Sequence, residues 1–338
     1  MERKVYHMAW RGRMELLDFL STSHENYKKN NEAHMKTCIV TGGAGFIGSN
    51  LVDYLVKKGA RVTVIDNLST GKKRYINPRA AFVNMDIRSS RLGEVFRRQR
   101  PDGIFHLAAV PRVPTSVTDP VGTSDVNITG TVNVFRAAKD SKTKRVVFAS
   151  SSSVYGDQKK LPLRESMEPK PMSPYGLQKL VGEQFARLFL ELYGLPVVCL
   201  RYFNVYGPRI DFDSDYSLVL GKFLKQHSQT KPLTIYGDGR QTRAFCYIDD
   251  VVAVTLRAMV SPKIRGGEVI NVGQSTANSV EELARLIGGN VRYLPPRLGD
   301  VRHTKADISR AKLLLGWKPA VSFREGVRRT QEWFEAHA

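Results

Sequence analysis

Residues 38–48 constrain the fold more than any other part of this chain. The apolar stretch Cys-Ile-Val-Thr runs into Gly42-Gly43-Ala44-Gly45-Phe46-Ile47-Gly48 and then into a helical apolar pattern. A strand, a glycine-rich turn and a helix make one βα unit, and a single unit cannot cover its own apolar faces. The chain repeats the pattern. Short apolar strands are expected at 61–65, 81–84, 103–107, 145–150 and 196–202, and helices at 46–58, 92–100, through 130–138, and at 174–193. Alternating strands and helices imply an α/β fold with a parallel, doubly wound sheet of the Rossmann type.

The regularity breaks after Gly207-Pro208. Helices are expected at 217–226, 249–259 and 279–287, strands at 233–236 and 268–272, then a turn at Pro295-Pro296 and two final helices. This pattern predicts a smaller mixed α/β lobe built around a substrate. Residues 1–35 match neither pattern and are expected to be an extension whose role the sequence does not show. The expected division is therefore 1–35, a dinucleotide-binding domain at 36–205, and a substrate lobe at 206–338 whose segment 233–262 packs back on the first domain.

Composition excludes several classes. With 338 residues the chain can bury a large core. No apolar run approaches the ~20 residues of a membrane span, and no secretory signal is expected from the charged first residues. Cys38, Cys199 and Cys246 are odd in number and far apart. They are expected to be reduced core thiols of a cytoplasmic protein. The net charge of +20 raises the question of nucleic acid. The basic residues are spread along the chain, however, and Lys72-Lys73-Arg74 and Arg97-Arg98 lack the interleaved aromatics of a single-strand platform. A polyanionic small ligand suits the same field, and no nucleic-acid partner is expected.

Gly42, Gly45 and Gly48 fall in the spacing G-x-x-G-x-x-G between a strand and a helix. That spacing allows a tight turn, close approach of backbone to a pyrophosphate and close helix–strand packing. The helix start then offers free N–H groups to phosphate. Asp66 ends the second strand, where a carboxylate suits the two ribose hydroxyls of NAD and repels a 2′-phosphate. Lys72 and Lys73 keep NADP open. Asp86 either holds the adenine edge or caps a turn. His106 has no paired ligand and is expected to be a packed core histidine.

Ser173-Pro174-Tyr175-Gly176-Leu177-Gln178-Lys179 carries the chemistry. Ser173 can cap a helix and Pro174 suits its first turn, so Tyr175 and Lys179 share one helix face. An unperturbed tyrosine has a pKa of about 10. A cation about 4 Å away at an effective dielectric of ~20 is worth roughly 4 kcal/mol, so Lys179, helped by the positive ring of a nicotinamide cofactor, would carry most of the shift that makes the phenol a base near neutral pH. Four serines, Ser150 to Ser153, lie upstream.

Thr41–Gly48, His106–Ala109, Ser150–Gly156, Tyr175-x-x-x-Lys179 and Arg201-Tyr-Phe-Asn-Val-Tyr-Gly-Pro-Arg209 together resemble the extended short-chain dehydrogenase/reductases that act on nucleotide sugars, UDP-hexose 4-epimerases above all. The resemblance spans residues 36 to about 335. It implies bound NAD, a homodimer through a helix bundle and a transient 4-keto sugar. Catalysis would fall to Ser151, Tyr175 and Lys179, with Ser150 or Ser152 in place of Ser151 if the strand end is displaced by one. NAD contacts are implied along the turn at Gly42, Gly45, Phe46, Ile47 and Gly48, and at Asp66, Asn67, Ser69, Thr70 and Gly71. They continue at Asp86-Ile87, Leu107-Ala108-Ala109, Asn127, Ser150, Tyr175, Lys179 and Tyr202-Phe203. The UDP-sugar would meet Ser151, Tyr175, Asn204, Thr234, Tyr236, Arg243, Arg297, Asp300 and Thr304. Two features depart from the pattern. Ala244 stands where many relatives have Asp, which removes an orienter for Arg243, and Pro111-Arg112 differs from the small residues of N-acetyl-preferring enzymes. Thr304, where UDP-galactose enzymes often place tyrosine, leaves room for an N-acetyl group.

Related dehydratases carry Thr-Asp-Glu at the positions of Ser151, Ser152 and Ser153. Serines cannot supply the acid and base of an elimination, which favours epimerisation. Competing expectations are a UDP-glucuronate 4-epimerase or decarboxylase, a dehydratase or reductase of the same family and, from another class, an NAD-sensing or RNA-associated binding protein. Asp211, Asp213 and Asp215 alternate like calcium ligands, but Lys222 occupies the twelfth position and no glycine the sixth, so no metal is expected. Asp249-Asp250 is expected to cap a helix.

Overall fold

Strand β1 (Thr37–Thr41) is buried from its second residue onward, as a strand covered on both faces must be. The computed structural model describes residues 35–212, 219–296 and 302–337. Within them β1 leads through the glycine turn into α1 (Phe46–Lys57), and the pattern recurs with β2 (Arg61–Asp66), β3 (Ala81–Asn84), α2 (Leu92–Gln99) and β4 (Gly103–His106). The chain continues through α3 (Val113–Thr118), α4 (Pro120–Ser124), α5 (Thr131–Asp140), β5 (Arg145–Ser151), α6 (Pro174–Tyr193) and β6 (Val197–Tyr202).

Seven parallel strands form the central sheet in the order β11-β6-β5-β4-β1-β2-β3, where β11 is Val269–Val272. The order reverses direction between β1 and β4. In an open α/β sheet a ligand binds in the crevice beyond the strand ends at this switch point. The two sides meet closely there: a Cβ on Gly42 would lie 2.6 Å from the amide nitrogen of Ala108. Packing behind the sheet is aromatic. Phe135 meets Phe148 and Phe189 edge-on with centroids 5.8 and 5.6 Å apart. Gly182 lets α6 approach β5, since a Cβ there would sit 2.6 Å from the Phe148 ring.

Three local features differ from the sequence expectation. A single helix is expected through 130–138, yet α3 and α4 precede it, followed by a π-helical stretch at Asp125–Gly130. Prolines start these helices: Pro114 and Pro120 sit in first turns, and Asp119 caps α4 by accepting from the Gly122 N–H at 2.9 Å. Second, β11 comes from beyond Gly207-Pro208 but bonds to β6 as an edge of the main sheet.

Third, Asp249 and Asp250 lie inside α8 (Ile248–Val260), whose N-cap is Tyr247 with no side-chain bond. Asp250 instead reaches across the chain, accepting from the N–H groups of Ala320 at 2.8 Å and Val321 at 3.0 Å. Burial raises its carboxyl to about 6, against the pull of those two N–H groups. A folded-state value above the ordinary 3.8 stabilises the fold most below pH 4, and the contribution is lost as pH rises through about 6. Between pH 4 and pH 7 the wild type should lose up to about 3 kcal/mol more stability than Asp250→Asn. Urea unfolding at the two pH values checks this; parallel slopes contradict it.

The remaining elements are short. They comprise β7 (Val205–Tyr206), α7 (Val219–Ser228), β8 (Leu233–Tyr236), β9 (Thr242–Arg243), β10 (Cys246–Tyr247), β12 (Asn278–Ser279), α9 (Val280–Ile287), β13 (Val291–Leu294), α10 (Ser309–Leu315) and α11 (Phe323–Glu335). They form two-stranded pairs β7–β10, β8–β13 and β9–β12. No helix among the described residues is long and apolar enough to cross a membrane. Cys38, Cys199 and Cys246 are free and buried.

Candidate active site

The turn after β1 is shaped for an anion. Gly45 is the N-cap of α1 with no side-chain bond, and no acidic residue occupies the first turn, so the helix start is uncapped by the protein itself. A Cβ on Gly48 would lie 2.1 Å from the Gly42 carbonyl, whereas one on Gly45 meets only that carbonyl at 3.3 Å. Gly48 is thus required by packing, while Gly45 keeps the mouth of the turn clear. A pyrophosphate fits such a cradle. Asp66 braces it by accepting from the N–H of Ala44 at 3.0 Å and of Leu68 at 2.8 Å. Segment 69–72 folds over the same turn: the Lys72 N–H donates to the Ala44 carbonyl, and Gly71 leaves no room for a Cβ beside Ala44 and Asp66. This groove, with its carboxylate at the end of β2, fits an adenine dinucleotide.

Other expected cofactor residues are engaged with the protein. Asp86 is bound by Arg88 and Asn67, and the Arg88 hydrogen bond first of all lowers its pKa to about 2. Tyr202 shares a hydrogen bond of 2.7 Å with Thr255, and the Phe203 ring is fully buried. Asn127, in the π-helical stretch, accepts from the Val110 N–H at 2.8 Å and donates to Gln178 at 2.7 Å. That link seats the segment after β4 against α6. His106 is wholly buried between Thr41 and Thr131, at 2.8 and 3.0 Å, and stacks on Phe148. Burial, then the Lys179 charge, lowers it to about 3, so it is neutral.

The start of α6 is fixed on three sides. Ser173 accepts from the Gly176 N–H at 3.1 Å, Ser116 accepts from the Tyr175 N–H at 3.0 Å, and a Cβ on Gly176 would strike the Ser153 carbonyl. Tyr175 is thereby held against the end of β5. The serine run separates into distinct roles there. Ser150 donates to Glu183 at 2.5 Å. Ser151 donates to Ser153 at 3.1 Å, and its side chain lies beside the Tyr175 hydroxyl, where it favours the phenolate.

The expected phenolate is not formed by the pair alone. Burial raises Tyr175 to about 12, and Ser151 offsets only part of the rise. Lys179 is lowered to about 8, again by burial first, with Glu183 acting upward. Its Nζ donates to the Ala149 carbonyl at 2.8 Å, lies over the Phe148 ring at 4.9 Å and is 5.8 Å from the Tyr175 ring centre. Burial that removes water from the lysine removes it from the phenol too. A further positive group facing Tyr175 is needed to make it a base.

On the far side of the crevice, Thr304 joins three segments. Its hydroxyl accepts from Asn204 at 3.3 Å and from the Ala244 N–H at 3.2 Å, and its own N–H donates to the Thr242 carbonyl. Asn204 takes a left-handed backbone, with φ of 36°. Arg243 donates to the carbonyls of Thr242 and Arg302, which orient it where an aspartate at 244 is missing. Thr234 is bonded through its N–H and hydroxyl to Gln226, and Lys222 lies 4.9 Å from the Tyr236 ring centre. Arg297, Asp300, Asp213, Asp215 and Ser217 lie outside the described residues. Asp211 pairs with Arg112. Among the described residues no group of three or more His, Cys, Asp or Glu side chains is arranged to hold a metal ion.

Sequence reasoning missed Glu183, Arg201, Gln178 and Ser116. The first two carried a signal: single opposite charges inside an apolar helix stripe and an apolar strand.

The family model described as the NAD dependent epimerase/dehydratase family matches residues 38–273. A UDP-glucose 4-epimerase of Mycolicibacterium smegmatis is 38% identical, covering 88% of this chain and 97% of that protein. Two solved structures are also similar. One is the UDP-N-acetylglucosamine 4-epimerase of Methanobrevibacter ruminantium in complex with UDP-N-acetylmuramic acid, at TM-score 0.85 and 37% identity over 90% of this chain and 99% of that one. The other is the UDP-glucuronic acid 4-epimerase of Bacillus cereus with UDP-glucuronic acid and NAD, at TM-score 0.82 and 34% identity over 89% of this chain and 100% of that one. The matched motifs, the sheet order and these similarities together make the chain a member of the NAD dependent epimerase/dehydratase family.

Proposed function

We propose that this protein inverts C4 of a UDP-hexose, either UDP-glucose and UDP-galactose or their N-acetyl counterparts. The single observation that carries the reading is the meeting of Ser151, Tyr175 and Lys179 at the end of β5, with serines rather than acids at 152 and 153. The turn Gly42–Gly48 with Phe46 and Ile47 would hold the pyrophosphate of NAD, and Asp66 its adenosine ribose. Segments 67–71, 86–87, 107–109 and 202–203, with Asn127 and Ser150, would line the rest of its groove.

When bound, NAD supplies reversible hydride exchange at C4 with no net oxidation. Tyr175 takes the proton of the 4-hydroxyl, and Ser151, beside it, shares that proton. Lys179, buried beneath the tyrosine, supplies one positive charge favouring the phenolate. Protonation of the 4-oxygen by Tyr175 completes the inversion. Asn204, Thr234, Tyr236, Arg243, Arg297, Asp300 and Thr304 would hold the UDP-sugar. Thr304 is small and already joined to Asn204, which leaves space at the sugar 2-position.

A homodimer would form on the face shared by α3, α4 and α6, where Val117, Val121, Leu177, Leu188 and Leu192 are exposed. Reduced thiols suit a cytoplasmic setting. Incubation of the purified protein with UDP-glucose, UDP-N-acetylglucosamine and UDP-glucuronate, followed by NMR, tests the function. A 4-epimer of UDP-glucose or its N-acetyl counterpart supports it; keto, deoxy or pentose products, or turnover of UDP-glucuronate alone, contradict it.

A further inference from the structure

Glu183 and Arg201 form an ion pair whose side chains are only 5% and 3% exposed. Arg201 grips both carboxylate oxygens, Nε at 2.9 Å and Nη2 at 2.6 Å. Desolvating two charges is costly, and well-packed apolar residues of similar volume often hold a fold as well. The pair's position suggests another use.

Three successive turns of α6 meet three successive residues of β5. Tyr175 lies beside Ser151, Lys179 donates to the Ala149 carbonyl at 2.8 Å, and Glu183 accepts from Ser150 at 2.5 Å. Arg201, on the neighbouring strand β6, holds the carboxylate from the far side. Its guanidinium lies 4.5 Å from the Tyr155 ring centre, and Tyr155 donates to Asn271 on β11 at 2.7 Å. The carboxylate is therefore fixed between helix and sheet, one turn beyond Lys179.

We propose that Glu183, held by Arg201, is a positioning residue that fixes the end of β5 beneath Tyr175 and keeps the Lys179 ammonium charged in a buried site. The inference rests on the 4-epimerase reading. Charged and titratable groups facing Lys179 are Tyr175 and Glu183 from its own helix, Cys199 and Arg201 from β6, and the neutral His106 from β4. Burial works against the ammonium and the Glu183 carboxylate favours it, while the Cys199 thiol, raised well above its ordinary value by burial, stays neutral. Without Glu183 the amine is neutral over more of the working pH range, and a neutral amine does not favour a phenolate.

Two variants test this. Glu183→Gln keeps an acceptor for Ser150 but leaves Arg201 buried without its counter-charge. Glu183→Gln combined with Arg201→Met removes both charges at similar volume. Initial epimerisation rates are measured from pH 6 to 9.5, with circular dichroism and bound-nucleotide content as controls. In the double variant kcat at pH 8 should fall about tenfold and KM by no more than about twofold. The alkaline limb of the profile should move down by about one pH unit, so that the deficit narrows near pH 6.5. A loss of equal size at every pH, an unmoved alkaline limb, or a double variant that fails to fold overturns the proposal. A wild type without epimerase activity overturns the underlying reading instead.

Discussion

Tyr175→Phe is expected to lower kcat by roughly a hundred- to ten-thousandfold while the protein stays folded and keeps its cofactor. The ring is buried and its packing survives the substitution. What is lost is one hydroxyl beside Ser151, and Ser151 retains Ser153 as a partner. The stability cost is therefore about that of one hydrogen bond, ~1 kcal/mol. The catalytic cost is larger because no other described group that meets Ser151 can take the 4-hydroxyl proton. Raised to about 12 by burial, the phenol also has the most to gain from a positive group bound in front of it. Activity within threefold of wild type would remove Tyr175 from the chemistry. Loss of bound nucleotide together with activity would make its role structural.

Gly48→Ala is expected to abolish nucleotide retention and destabilise the fold by about 1–3 kcal/mol. The new Cβ would sit 2.1 Å from the Gly42 carbonyl oxygen and 2.9 Å from its carbon and from the Gly43 Cα, all backbone atoms that cannot swing aside. The turn must open, and Gly42 is already packed against Leu107 and Ala108 across the switch point. Gly45→Ala is the informative contrast. Its Cβ meets one atom at 3.3 Å, so the fold should hold while the cradle loses room for the phosphates. Nucleotide released on denaturation and the urea midpoint separate the two outcomes. Full nucleotide content in Gly48→Ala contradicts this account of the turn.

The sheet and the glycine turn were legible because local spacing sets them. Six strands are short apolar runs between helical stretches, and Gly42, Gly45 and Gly48 announce the βα turn. The seventh strand was assigned to the other lobe because β11 pairs with β6 over a sequence gap that spacing does not encode. Helices α3 and α4 were hidden by Pro114, Pro120 and Gly122, which disfavour helix interiors but suit first turns. At the site, the i,i+4 spacing placed Tyr175 and Lys179 on one face. It could not show that Lys179 would be spent on the Ala149 carbonyl, or that burial would raise the phenol instead of lowering it. Nor could spacing show that Glu183 would take the Ser150 hydroxyl. Arg145 illustrates the same limit: it binds the carbonyls of Ala258, Met259, Ser261 and Ile264, partners more than a hundred residues away.

The central claim is that the 4-hydroxyl oxygen gives up a proton and C4 a hydride, and that each is returned to the atom it left. The most direct measurement uses UDP-glucose deuterated at C4 in the NMR incubation. The account predicts the C4 epimer with deuterium retained at C4 and no net nucleotide reduction. A product that has exchanged its C4 deuterium for solvent hydrogen, or stoichiometric formation of reduced nucleotide, would contradict it.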